Sequence, residues 1–164
     1  MKINLRYLPK RLSKKDKKSQ SKMIIKSRRL YKKGIYYTRK AVPSFHSKKS
    51  PHIIKAMKIY NVDKIGANKN LAKATGCSKS ALAKIINKGE GAYFSSGSRP
   101  NQTAQSWGIA RLASSITSGK AAAVDYNILE KGCKPNSKAL TLAKKARKTH
   151  GHGTRKVAKV SLHH

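Results

Sequence analysis

Side chains able to do acid–base, nucleophilic or metal chemistry are few in this sequence and poorly spaced for it. The chain of 164 residues holds five carboxylates, Asp16, Asp63, Glu90, Asp125 and Glu130, and two cysteines, Cys77 and Cys133. General acid–base catalysis needs titratable groups that converge on one reacting atom. Asp125 and Glu130 stand five residues apart and so do not share a helical face. Asp63 and Glu90 flank helical segments and read as turn or cap residues. No cysteine lies close to a histidine in sequence, and Cys77 occupies a place suited to a small buried residue. Ser118-Gly119-Lys120-Ala121 ends like a phosphate-binding loop, but the earlier glycine falls on Ser114 and the hydroxyl after the lysine on Ala121. His150 with His152, or His163 with His164, has no Cys or carboxylate nearby to complete a structural zinc site. The reading is of a protein that is not an enzyme, with no cofactor, no metal ion and no small-molecule substrate.

The chemistry the chain does carry is charge. Thirty-nine Lys and Arg against five Asp and Glu give a formal net charge of +34. Such a charge calls for an external polyanion: nucleic acid first, then an acidic protein surface or an anionic membrane face. Residues 1–40 hold 16 basic residues and one acid, and residues 134–164 hold nine and none. The candidate contact residues are Lys14, Lys15, Lys17, Lys18, Arg28 and Arg29 in the first stretch and Lys79, Lys84 and Asn87 in the centre. Arg99 is the only charge of a polar loop over 92–106. Lys144, Lys145, Arg147 and Lys148 lie near the C-terminus.

The elements that must position these groups are helical. The sequence predicts a mainly α fold: a small compact helical domain over 41–148 with long basic N- and C-terminal arms, 1–40 and 149–164. The N-terminal arm has too few apolar residues to fold alone and reads as disordered when free, with Lys22 to Lys33 able to become helical once neutralised. Tyr36, Tyr37 and Phe45, set among cations, either stack on bases or dock the arm onto a core or partner. Ser50-Pro51 starts a helix whose apolar face is Ile53, Ile54, Met57 and Tyr60. Asn68 or Asn70 caps the next one. Further helices are expected over 104–118 and 120–131, and a last one begins at Pro135-Asn136.

The best-specified local stretch is LAKATGCSKSALAKIINKGEG, from Leu71 to Gly91, inside a helical pair expected over 68–88. It reads as two short helices joined at Gly76 and closed by Gly89 and Gly91. Ala72 lets the helices approach, Gly76 permits a left-handed turn, and Ser78 is a natural N-cap. Leu82 and Ile85 face inward, leaving Ser78, Lys79, Ser80, Lys84 and Asn87 outward, toward a major groove if the pair reads DNA. The wording AKATGCSKSALAKIINKG resembles the phage-repressor class of helix-turn-helix. Thr75 stands where that class is usually apolar, and the outward face lacks the Arg and Gln that make bidentate base contacts. The same pattern also serves as an ordinary helical nucleus.

A wider resemblance is carried by YYTRKAVPSFHSKKSPHIIKAM, GEGAYFSSGSRPNQTAQSWGIARLASSITSGKAAAVDY and ILEKGC, within Tyr36 to Cys133, about 60% of the chain. In these segments the chain resembles a domain family of large DNA viruses of algae and amoebae, the nucleocytoplasmic large DNA viruses. That family has no assigned chemistry, so no catalytic residue carries over. The resemblance implies a viral origin, and with it a basic minor capsid protein tying neighbouring shell proteins together on the inner face of the capsid. The alternative it leaves open is a basic DNA-binding or genome-packaging protein. The implied partners are capsid proteins of the same virus, with double-stranded DNA or the inner viral membrane as the other anionic surfaces. The implied location is the virion, after assembly in host cytoplasm or nucleus. With two cysteines, no signal-length apolar run and no span of roughly 20 apolar residues, a reducing interior is expected, and the sequon Asn101-Gln102-Thr103 is discounted.

Overall fold

The computed structural model describes residues 1–153 and 158–162. The elements follow in the order β1 (Lys2–Asn4), α1 (Lys14–Tyr31), α2 (Pro51–Tyr60), α3 (Lys69–Thr75), α4 (Lys79–Ser95), α5 (Ala104–Ser115), α6 (Lys120–Val124), α7 (Tyr126–Gly132), α8 (Lys138–His150) and β2 (Lys159–Ser161). The fold is mainly α, as the sequence predicts. The chain divides into two units, which departs from the expected plan of one domain between two arms.

The first unit comprises Met1–Lys48, Glu90–Trp107 and the described part of the C-terminal end. Its basic N-terminal stretch is folded. β1 pairs antiparallel with β2, placing Ile3 opposite Val160. Ile3, Tyr7, Leu8 and Ile24 form a small core against which Trp107 and Leu162 pack. Few apolar residues suffice because polar ones do the rest. α1 buries Asp16, Gln20, Ile24 and Ser27, one helical turn apart, and its Ser13 cap accepts the Asp16 backbone N–H at 3.1 Å. The Gln20 amide donates to the Tyr7 and Ser98 carbonyls, and the Ser27 hydroxyl to Phe94 O. Arg39, 6% exposed, donates to Ser27 Oγ, Tyr93 O and Ser98 Oγ, with its guanidinium carbon 3.7 Å from the Tyr93 ring centroid. These bonds satisfy groups whose burial would otherwise cost several kcal/mol, on the order of 2–7 each.

The second unit comprises Lys49–Gly89 and residues 108–153 of the described chain. Leu71, Leu82, Ile85, Leu112, Ile116 and Leu129 are fully buried at its centre. α2 starts at Pro51 as expected, but Ile54 is 42% exposed, and Ala56 takes the buried place on that face with Tyr60. Asn68 Oδ1 accepts the Leu71 N–H at 2.8 Å and caps α3. Gly76 then turns left-handed at φ 77°, and an added Cβ there would meet Ser137 Cβ at 2.7 Å. Thr75 takes its usually apolar place because its hydroxyl turns back to Leu71 O at 2.7 Å and accepts the Cys77 N–H.

Three further features differ from expectation. Gly89 and Gly91 do not close α4, which runs on to Ser95. A side chain at Gly89 would meet Gly108 Cα at 2.6 Å, so the glycine is there for a close crossing of α4 and α5, not for a stop. The stretch expected as one helix over 120–131 breaks into α6 and α7 at Asp125, whose carboxylate is wholly enclosed. The two cysteines, expected in reducing surroundings, form a Cys77–Cys133 disulfide. They face each other as an antiparallel bridge, flanked by the bonds Ser78 N–H to Gly132 O and Lys134 N–H to Gly76 O. Residues with such flanking bonds are the closely spaced, non-hydrogen-bonded kind of pair.

Candidate functional site

The groups proposed from sequence as contact residues sit mostly on three helices. On α1, Lys14, Lys15, Lys18 and Arg29 are exposed and Lys17 is half-buried. The buried positions of α1 fall on one face, and Lys14, Lys18, Lys22, Lys26 and Arg29 run along the opposite one, each three or four residues after the last. Lys22 and Lys26 were not among the residues singled out from sequence, which read this stretch as an unfolded arm. Their spacing from Lys14 and Lys18 was the available signal. Lys26 Nζ also lies 4.6 Å from the centroid of the Tyr37 ring. Arg28 has a different part: Nε donates to Ser96 O at 2.7 Å and Nη1 to Lys2 O at 2.9 Å. It is an internal clamp, and burial draws its guanidinium below its ordinary value.

The aromatic residues beside α1 are docked on one another. Tyr36 is 69% exposed but tilts over Phe94 with centroids 5.2 Å apart, and Phe94 stacks on Tyr31. Phe45 lies in a loop held by Asn101, whose amide donates to Val42 O and Phe45 O while its carbonyl accepts the Val42 N–H. Arg99 is exposed in the polar segment between α4 and α5.

At the start of α4, Ser78, Lys79, Ser80, Lys84 and Asn87 are all exposed, as expected for an outward face. Ser78 Oγ accepts the Ala81 N–H at 3.1 Å and caps the helix. α7 comes close alongside: a Cβ on Gly132 would meet Ala81 Cβ at 2.2 Å. Asn127 and Lys131 of α7 thereby share a shallow depression with Ser78, Ser80 and Lys84, a neighbour the sequence did not disclose. On α8, Lys144, Lys145 and Lys148 are exposed. Arg147 instead lies over the Tyr126 ring, 4.3 Å from its centroid, with Nη2 3.2 Å from His152 Nδ1.

Two of the five carboxylates, Asp125 and Asp16, are drawn inward, while Asp63 and Glu130 are exposed and Glu90 is half-buried. Asp125 receives Lys88 Nζ at 2.8 Å, Arg111 through Nε at 3.0 Å and Nη2 at 2.8 Å, and the Ser115 hydroxyl at 2.9 Å. Burial pushes its carboxyl up, but the hydrogen bonds and charges of Arg111 and Lys88 outweigh that and hold it below the usual range. Asp16 accepts the Ser44 N–H at 2.8 Å, and bonds from the Ser44 side chain and then its backbone lower its carboxyl. Both of these buried carboxylates are occupied by bonds that order their own unit. Among the described residues, no three His, Cys, Asp or Glu side chains gather as metal ligands, and no helix is long and apolar enough to cross a membrane. His163 and His164 lie outside the described residues.

Residues 5–138 match the family of unknown function DUF5824, and the chain belongs to that family. No curated protein and no solved structure matches the chain.

Proposed function

We propose that the protein is a structural component of a large DNA virus particle, a basic minor capsid protein that ties shell proteins together on the inner face of the capsid. The observation that carries this reading is where the charge goes on folding. The buried Asp125 is matched by Lys88 and Arg111, Asp16 serves a loop, and the remaining cations include the exposed Lys79 and Lys84 of α4 and Lys144, Lys145 and Lys148 of α8. Folding pairs few of these cations with acids and leaves many of them exposed, part of them on helices. Complementary charge of this kind sets partner choice and encounter rate. The wider viral resemblance of the chain supplies the setting. In this reading the contacts come from folded basic faces, in place of arms that order on binding. Amine-reactive cross-linking of purified particles tests it. Links from Lys144, Lys145 or Lys148 to shell proteins are expected, and a protein missing from the particles overturns the reading.

A second reading, DNA binding through α3 and α4, draws on the exposure of Lys79, Lys84 and Asn87 at the start of α4. Its test is a binding-site selection on random duplexes. Replacing those three residues by Ala should abolish any preference, and an unchanged preference removes this reading.

A further inference from the structure

We infer that the outer face of α1 binds the phosphate backbone of double-stranded nucleic acid. This goes beyond the capsid reading and does not rest on it. Lys14, Lys18, Lys22, Lys26 and Arg29 form one row along the helix, opposite the buried Asp16, Gln20, Ile24 and Ser27. With a rise of about 1.5 Å per residue, the row places one cation every ~6 Å over roughly 22 Å. Its counterpart in a duplex is about one phosphate per 3.4 Å along each strand.

The row carries a cost that the fold itself does not recover. Like charges three or four residues apart oppose a helix by about 0.2–0.5 kcal/mol per pair. The only acid of α1 is Asp16, and it is turned inward onto Ser44. The helix nonetheless stands, held by the Ser13 cap, by Gln20 and Ser27 bonding to carbonyls, and by the Arg28 clamp. The helix is formed without a partner, so the backbone has no ordering left to do on binding, and only the side chains of the row lose freedom.

The composition of the row selects the partner. Protein interfaces are depleted in Lys at their centres and built on buried aromatic or Arg anchors, whereas four of the five residues of this row are Lys and its one Arg, Arg29, is exposed. Single-stranded nucleic acid is bound through aromatic stacking, whereas the residues of the row are all cations, with the half-buried Tyr37 ring beside Lys26. Insertion into a membrane needs apolar residues on the outward face. A Lys-rich ridge without anchors fits a dense, regular, sequence-independent array of phosphates.

The test uses the purified full chain and fluorescence anisotropy with 25-base-pair duplexes of unrelated sequence over a range of salt. Lys14, Lys18, Lys22 and Arg29 are replaced together by Gln. The expected result is at least a tenfold loss of affinity near 0.15 M salt, and a log–log salt slope shallower by roughly 3 to 4. A variant with Lys14, Lys18 and Lys22 replaced by Arg should bind like the parent, which separates charge from misfolding. Replacing Lys144, Lys145 and Lys148 by Gln should change the slope much less per charge removed. Equal losses per charge on α1 and α8 overturn the inference in favour of diffuse attraction. So does an α1 variant that keeps its DNA affinity while losing binding to phosphatidylserine vesicles or to poly-glutamate.

Discussion

Arg111 grips both carboxylate oxygens of Asp125, donating from Nη2 to one at 2.8 Å and from Nε to the other at 3.0 Å. Lys88 and Ser115 complete the shell, so one carboxylate ties α4 and α5 to the junction of α6 and α7. Removing one partner of a fully buried ion pair costs about 3–5 kcal/mol. The Lys88 and Arg111 side chains keep 46% and 21% exposure, which lets water share the loss. Asp125→Ala should therefore destabilise the chain by about 2–3 kcal/mol in urea denaturation. The folded carboxyl titrates below its unfolded value, so its contribution is complete above about pH 4 and fades as pH falls through the folded value. The parent should lose more stability than the variant as pH falls below 4. Parallel acid limbs would remove Asp125 from this role.

Gly89 and Gly91 should respond oppositely to alanine. In a helix interior Ala is favoured over Gly by about 0.8–1 kcal/mol. At Gly89 the new methyl meets Gly108 Cα at 2.6 Å, a backbone atom, so the two helices must shift apart to admit it. Gly89→Ala should lower stability by about 1–3 kcal/mol, as overpacking does. At Gly91 the nearest atom is Tyr31 Oη at 3.9 Å, so Gly91→Ala should be neutral or gain up to about 1 kcal/mol. Thermal denaturation of the two variants decides it, and a tolerated Gly89→Ala would contradict the close crossing.

The Cys77–Cys133 disulfide spans a sequence separation of 56 residues and joins the α3–α4 turn to the α7–α8 turn. Chain-entropy arguments give a loop of that size about 4 kcal/mol of stabilisation. The Cys77→Ser, Cys133→Ser double variant should melt well below the oxidised parent and near the reduced one. Equal melting of oxidised and reduced parent would show that the bridge contributes nothing.

Neutralising the α1 row should make the protein more stable while it binds less. Replacing Lys14, Lys18, Lys22 and Arg29 by Gln relieves four neighbouring repulsions, for a gain of roughly 1 kcal/mol at low ionic strength. The gain should vanish in about 1 M salt, where screening acts within ~3 Å. A destabilised variant would mean that these side chains serve the fold.

Local signals made the second unit readable. Gly76, Ser78, Leu82 and Ile85 each state their role within a few residues and the structure uses each one so, while of the two candidate caps Asn68 and Asn70 it uses Asn68. The first unit was not readable because its core joins Ile3, Ile24, Trp107 and Leu162, which no short window contains. It also replaces apolar area with buried Gln20, Ser27 and Arg39, residues that in sequence look like those of a solvated tail. Gly89 and Asp125 misled for a related reason: a partner elsewhere in the chain, Gly108 or Arg111, decides what each does. Among the candidate contact residues, the outward face of α4 was legible from helical spacing. Arg28 and Arg147 were not, since only the folded chain brings Ser96, Lys2 and Tyr126 to their guanidinium groups.

In the proposed capsid role, displayed charge would hold this protein within the particle, against the shell. Fractionation of purified particles tests it most directly. Capsids are opened, treated with nuclease, washed free of genome and probed for the protein with an antibody. Retention on the emptied shells through the nuclease step, with release by high salt, is expected of a shell-bound protein. Recovery of the protein with the genome core alone would contradict it.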